Sequence, residues 1–176
     1  MKKRDKNVTS KPTFERELDE VFYAMDRRYV NGSRFLYIIS IACFFFGVMG
    51  LIWMIPFPQF EFLISVNMHT FLNWGSFYIA IIIYFYLRLA PTLSYAMLFT
   101  IGIMSFFIVQ FEYLERDGGA AVWLVSLMFA IFGFIGLYLN SRRESPAVSW
   151  KELWRLITIG PIWYWSKAFN KLNIKY

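Results

Sequence analysis

The sequence predicts an all-α membrane protein. Four transmembrane helices are preceded by an amphipathic helix and followed by an interfacial segment. Three observations predict it. Four long stretches of the 176 residues carry no charge, nearly all the Lys and Arg residues fall on one side of a four-crossing map, and tryptophans gather near the stretch ends. Composition agrees. Hydrophobic residues make up 58% and charged residues only 17%, against roughly 25% charged in ordinary soluble domains. Such a chain is too apolar to be disordered. A domain of this size also lacks the volume to hide so much apolar surface from water.

The charge-free runs between Arg34 and Glu61 and between Glu61 and Arg88 hold 26 residues each. Those between Arg88 and Glu112 and between Asp117 and Arg142 hold 23 and 24. About 20 apolar residues cross a hydrocarbon core of roughly 30 Å as a helix. In lipid the backbone must satisfy its own hydrogen bonds, so each run is expected to be helical. The expected spans are 35–55, 72–88, 91–111 and 120–139. Pro56 and Pro58 stop the first. Pro91 suits a first-turn position of the third. Gly118-Gly119 breaks the chain before the fourth. The ten-residue alternation of a membrane β-barrel is absent.

The flanks complete one domain, 1–176. Residues 1–12 form a polar, basic tail. Residues 13–30 read as an amphipathic helix: Thr13 caps it, Glu15 and Glu17 suit its first turn, and Phe14, Leu18, Val21, Phe22 and Met25 share one face. Residues 149–176 read as an interfacial segment, kinked at Pro161. Its charge-free stretch is too short to cross, and Lys167, Lys171 and Lys175 line up for anionic headgroups.

With four crossings, 17 of the 18 Lys and Arg residues lie on the side that holds both ends. The positive-inside rule places that side in the cytoplasm. Trp53, Trp74 and Trp123 fall on the outer side, and Trp150, Trp154, Trp163 and Trp165 on the inner, as an aromatic belt at two interfaces. A bacterial inner membrane or the endoplasmic reticulum fits this map, and a mitochondrial inner membrane is left open. The net charge of +6 is then an orientation signal and a surface for anionic headgroups, not a nucleic-acid footprint. Other membrane proteins or further copies of the chain are the remaining candidate partners.

The chemistry-bearing residues are few. The single histidine, His69, falls in the outer loop, on the same side as Glu112, Glu115 and Asp117. These four are weak candidates for a metal, and the plainer expectation is an interfacial histidine beside a solvated acidic helix end. Cys43 sits among phenylalanines, where burial makes a thiol inert. There is no phosphate-binding glycine loop and no two-histidine zinc motif. The charge-free runs offer no group for an ion pathway. Gly47, Gly50, Gly102, Gly133 and Gly136 invite close helix packing. Phe106, Phe107 and Phe129 are read as packing residues before acyl-pocket residues.

Several stretches resemble a known family. They are Gly50-Leu-Ile-Trp-Met-Ile-Pro56, Leu72-Asn-Trp74 with Tyr86-Leu-Arg-Leu-Ala-Pro91, Trp150-Lys-Glu-Leu153 with Ile159-Gly-Pro-Ile-Trp163, and Lys171-Leu-Asn-Ile-Lys-Tyr176. The family is that of small membrane proteins related to the fungal 2-hydroxy fatty acid dioxygenase of phytosphingosine α-oxidation, which includes bacterial relatives. The resemblance covers roughly residues 20–176 and implies the four-helix fold. It also implies Fe(II), held by histidines near the start of the first span and just after the fourth. Tyr37 and Asn140 fall near those positions here. Imidazole suits non-haem iron and these side chains do not. The resemblance therefore carries over the fold without the metal site, and no cofactor is expected. The leading expectation is a non-catalytic acyl-lipid-binding relative or an accessory membrane subunit. The alternative is an active Fe(II)-dependent dioxygenase acting on 2-hydroxy fatty acids.

Overall fold

A computed structural model describes residue 14, residues 16–58 and residues 72–176. Among them it contains six helices: α1 (Glu17–Arg28), α2 (Arg34–Trp53), α3 (Trp74–Leu89), α4 (Pro91–Arg116), α5 (Val122–Ser141) and α6 (Trp150–Lys171). Three of them, α2, α4 and α5, are long and apolar enough to cross a membrane, and α3 is a shorter apolar helix.

Local chemistry sets the ends. Ser33 caps α2, its hydroxyl accepting from Leu36 N, and Asn73 caps α3 by accepting from Ser76 N at 2.8 Å. Ala90 is extended, as the residue before a proline must be, so α3 stops there and Pro91 starts α4. Gly118 ends α4 in the left-handed region, at φ 89°. Helix α1 begins at Glu17, with Arg16 rather than Thr13 as its neighbour in the cap position; Thr13 and Glu15 lie outside the described residues. Acidic residues fill its first turn and Arg27 and Arg28 its last, which suits the helix dipole. Leu18, Phe22 and Met25 form its buried face.

One length differs clearly from the expected spans. Helix α4 runs to Arg116, past the last uncharged residue, because charges in its final turns do not end a helix and the glycine pair does. Helix α3 has 16 residues, about 24 Å at 1.5 Å per residue, less than a full crossing.

Helices α2 and α5 form the most intimate pair. A side chain on Gly47 would strike the backbone of Ser126 and Ala130, and one on Gly133 the backbone of Ser40 and Phe44. Gly50 and Gly136 face Ser126 and Ser40 in the same seam. Small residues let two backbones approach where lipid supplies no hydrophobic drive. Gly102 takes no part: open space surrounds it. Helices α3 and α4 form a hairpin beside this pair. At one end of the bundle Trp53 packs on Gly75 and the Glu115 carboxylate accepts from Val122 N. At the other, α6 wedges between pair and hairpin, burying Leu156, Ile162 and Trp163.

The C-terminal segment is one unbroken 22-residue helix, not a segment interrupted at Gly160-Pro161. Proline removes one backbone donor from the ladder, yet neighbours support this turn. The Tyr86 hydroxyl donates to the Thr158 carbonyl at 2.9 Å, and Ile41 packs so close to Gly160 that a Cβ there would lie 2.9 Å from its Cδ1. Helix α1 lies antiparallel along α6, with Arg28 on Glu152 near one end and Arg16 on the Tyr176 carbonyl at the other. Trp163 belongs to the core rather than to the belt, at 1% exposure, whereas Trp150 and Trp154 are exposed.

Candidate functional site

The end of the bundle that carries α1 and α6 holds a buried polar network. It begins with the turn between α1 and α2, whose backbone donors have no helix to satisfy them. Glu144, from the α5–α6 connection, is 4% exposed. Its Oε2 accepts from the backbone nitrogens of Val30 and Asn31 at 3.2 and 2.9 Å. Its Oε1 accepts from Gly32 N at 2.9 Å and from the Tyr37 hydroxyl at 3.2 Å. Asn140 takes the next residue: its Oδ1 accepts from Ser33 N at 3.0 Å and its Nδ2 donates to Ser33 O at 2.9 Å. Two side chains thus satisfy four consecutive backbone donors. Gly32 is required, because any Cβ there would lie 2.6 Å from the Tyr37 ring and 2.9 Å from Glu144 Oε1.

A second layer joins α1 to α6. Arg28 Nε and Nη2 donate to Glu152 at 2.6 and 3.3 Å, and Nη2 also donates to Pro146 O at 2.9 Å. Glu152 also completes a capping box, accepting from Ser149 N at 2.7 Å. The Arg28 hydrogen bond, with help from Ser149 and against some burial, holds the Glu152 carboxyl at about 2. Glu152 in turn raises the Arg28 guanidinium. Burial pushes the Tyr29 hydroxyl up, so it stays protonated and donates to Glu152 O at 2.9 Å. The Tyr29 ring meets Tyr37 edge-on at 5.4 Å and Trp163 at 6.0 Å.

Tyr37 and Asn140 are therefore brought to one place, as fellow members of the Glu144 network. They do not fit an iron site. The four acceptor positions of the Glu144 carboxylate face four donors, both ends of the Asn140 amide are engaged, and imidazole is the ligand that non-haem iron wants. No group of three His, Cys, Asp or Glu side chains converges among the described residues. At the opposite end, Glu115 caps α5 and Asp117 sits at the C-cap of α4. Glu112 is half-buried on α4, and His69 lies outside the described residues.

Sequence reasoning missed Glu144. The one trace of it is a lone acid behind Arg142-Arg143, in a loop with no pattern of its own.

Beside the network lie two apolar clefts, both roofed by α6. The larger, about 470 Å³, lies between α2, α3 and α6 and is walled by Phe45, Val48, Tyr78, Ile82 and Ile157. The smaller, about 310 Å³, lies between α2, α4 and α6, and Ile41 and Phe45 border both. Small-molecule sites occupy roughly 300–1,000 Å³. Among the remaining buried polar atoms, Trp163 Nε1 and the Tyr164 hydroxyl have no partner among the described residues.

No protein-family model, curated protein or solved structure matches the chain.

Proposed function

We propose that this chain is a multi-pass membrane protein that holds the acyl chain of a lipid in its larger cleft, without carrying out chemistry on it. The observation that carries the reading is that cleft: about 470 Å³, almost wholly apolar, between α2 and α3 and beneath α6. Helix α3 completes a fourth crossing in this reading. Gly75 near its start packs on Trp53 and Tyr86 near its end reaches α6, so it runs from one end of the bundle to the other. The end bearing α1, α6 and most of the cations faces the cytoplasm. The resemblance to the 2-hydroxy fatty acid dioxygenase family supports an acyl-chain ligand. The saturated Glu144–Asn140 network supports a holder of that chain rather than an iron enzyme.

The test is photo-crosslinking with a phosphatidylcholine that carries a diazirine midway along one acyl chain, in nanodiscs. Label is expected on the segments around Ile82 and Ile157. Ile82→Trp, which fills the cleft, is expected to remove it. Equal labelling of the filled variant and the parent overturns the proposal.

A further inference from the structure

A polar pocket of about 220 Å³ lies between the end of α5 and the chain that leads into α6. Tyr138, Ser141 and Arg142 wall it on the α5 side, and Val148, Trp150 and Leu153 on the other. It falls below the roughly 300–1,000 Å³ of whole-ligand sites, so it suits one group of a larger molecule. Arg142 is exposed and lines it. Its Nε and Nη2 both donate to the Tyr138 hydroxyl, at 3.1 and 2.7 Å. The guanidinium carbon also lies 5.1 Å from the centre of the Tyr138 ring. A neutral side chain thus fixes this cation, and no carboxylate pairs with it among the described residues.

The pocket is rich in uncommitted donors. Arg142 Nη1, the proton of the Tyr138 hydroxyl and the Trp150 indole N–H have no acceptor among the described residues. No acid lines the pocket. The nearest acids along the chain are engaged elsewhere: Glu144 holds its four donors, and Glu152 holds Arg28 and Ser149. A fixed guanidinium with free N–H groups suits an oxyanion from outside the chain.

The pocket adjoins the larger cleft along two helices. On α5, Leu137 lines the cleft and Ser141, four residues on, lines the pocket. On α6, Leu153 lines the pocket and Ile157, four residues on, lines the cleft. Four residues are about 6 Å of helix. Trp150 of the pocket and Trp154 of the cleft meet edge-on at 6.1 Å. Both rings are exposed, as tryptophans at the headgroup level of a bilayer are. In a phospholipid only glycerol and an ester separate the phosphate from the acyl chain. We infer that the pocket binds the phosphate of the phospholipid whose acyl chain fills the larger cleft, with Arg142, fixed by Tyr138, on the phosphate oxygens. The inference rests on the acyl-chain reading of that cleft. It adds the class of lipid: a phosphodiester lipid rather than a neutral glyceride.

The experiment compares two lipids with the same diazirine-bearing chain, a phosphatidylcholine and a diacylglycerol. Each is present in the same trace amount in nanodiscs of unlabelled phosphatidylcholine that hold the full chain. The readout is label on the segments around Ile82 and Ile157. In the parent, the phosphatidylcholine is expected to label about tenfold more than the diacylglycerol, the effect of one charge-assisted hydrogen bond. Arg142→Gln is expected to bring the two to equality by lowering the phosphatidylcholine label alone. An unchanged diacylglycerol label confirms that the variant folds. Arg143→Gln removes a neighbouring exposed cation that does not line the pocket, and is expected to keep the parent's ratio. Excess glycerol 3-phosphate is expected to keep it too. Equal labelling by the two lipids in the parent, or the parent's ratio in Arg142→Gln, overturns the inference and spares the proposed function. So does a fall of the same size in Arg143→Gln, which would mean diffuse surface charge. A ratio abolished by glycerol 3-phosphate would assign the pocket to a free phosphate ester and overturn the lipid assignment. Absence of label from both lipids in the parent sinks the acyl-chain reading and this inference with it.

Discussion

Glu144 Oε1 lies 2.9 Å from the backbone nitrogen of Gly32, 112 residues earlier in the chain. That contact makes a carboxylate the organising centre of a turn it does not belong to. Val30, Asn31 and Gly32 all donate to it, so the charge is spread over three peptide dipoles and a phenol instead of a cation. Glu144→Ala leaves these buried donors unanswered. At roughly 1–3 kcal/mol for each unsatisfied group, a loss on the order of 3 kcal/mol is expected. Glu144→Gln is expected to destabilise as well, because its amide nitrogen must face donors on one side. Melting midpoints in detergent check both variants. A Glu144→Gln midpoint equal to the parent's would show that the second oxygen is dispensable.

Two glycines of equal prominence in the sequence have opposite roles in the bundle. A Cβ on Gly133 would lie 2.3 Å from Phe44 N, and backbone does not yield as a flexible side chain does. Gly133→Leu is expected to destabilise by about 2–3 kcal/mol through overpacking of the α2–α5 seam. Gly102 meets nothing within 4 Å. Gly102→Ala is expected to stabilise by up to about 1 kcal/mol, the propensity difference between the two residues. Thermal unfolding of the pair decides. Equal effects would mean that the seam is not where the bundle is tight.

The proposed orientation makes a separate prediction. Cys43 is the single cysteine and lies half-buried in α2, so Cys43→Ser gives a background for labelling. In it, Asp117→Cys is expected to react with a membrane-impermeant maleimide on intact cells. Ala147→Cys is expected to react only after permeabilisation. The reverse pattern would invert the map and remove the cytoplasmic assignment of α1 and α6.

The helices that are long and apolar were legible because a charged group in a bilayer is costly, so the start of α2 and the end of α5 are written in where Arg34 and Arg142 stand, whereas Glu112 lies within α4 and does not end it. The glycine pair at 118–119 was legible as a stop because glycine takes the left-handed conformation that ends a helix. Gly102 was misread because periodicity does not say which face of α4 meets a neighbour. Trp163 was misread because an aromatic near an interface looks the same whether it anchors in headgroups or fills a core. The polar network was hidden most deeply. A metal site or a helix cap leaves a spacing in the chain, but a carboxylate answered by backbone donors 112 to 114 residues away leaves none. Tyr37 and Asn140 were singled out through the resemblance, and what joins them is a glutamate that no motif marks.

The Arg28–Glu152 pair gives the fold an acid limit with a definite sign. The carboxyl lies at about 2 in the folded chain against an ordinary 4.5, chiefly through the Arg28 hydrogen bond. A group whose folded value is depressed stabilises above its unfolded value, and loses that contribution as pH falls through the folded one. The contribution of Glu152 is therefore complete above about 4.5 and fades between there and about 2. Its side chain is 38% exposed, so solvent screening keeps the effect modest. Glu152→Gln is expected to melt below the parent at neutral pH and to converge with it as pH approaches 2. Melting midpoints of the two proteins, measured side by side from pH 7 to 2, check this. A gap that stays constant over the acid range would mean that the capping geometry at Ser149, and not the charge, is what Glu152 supplies.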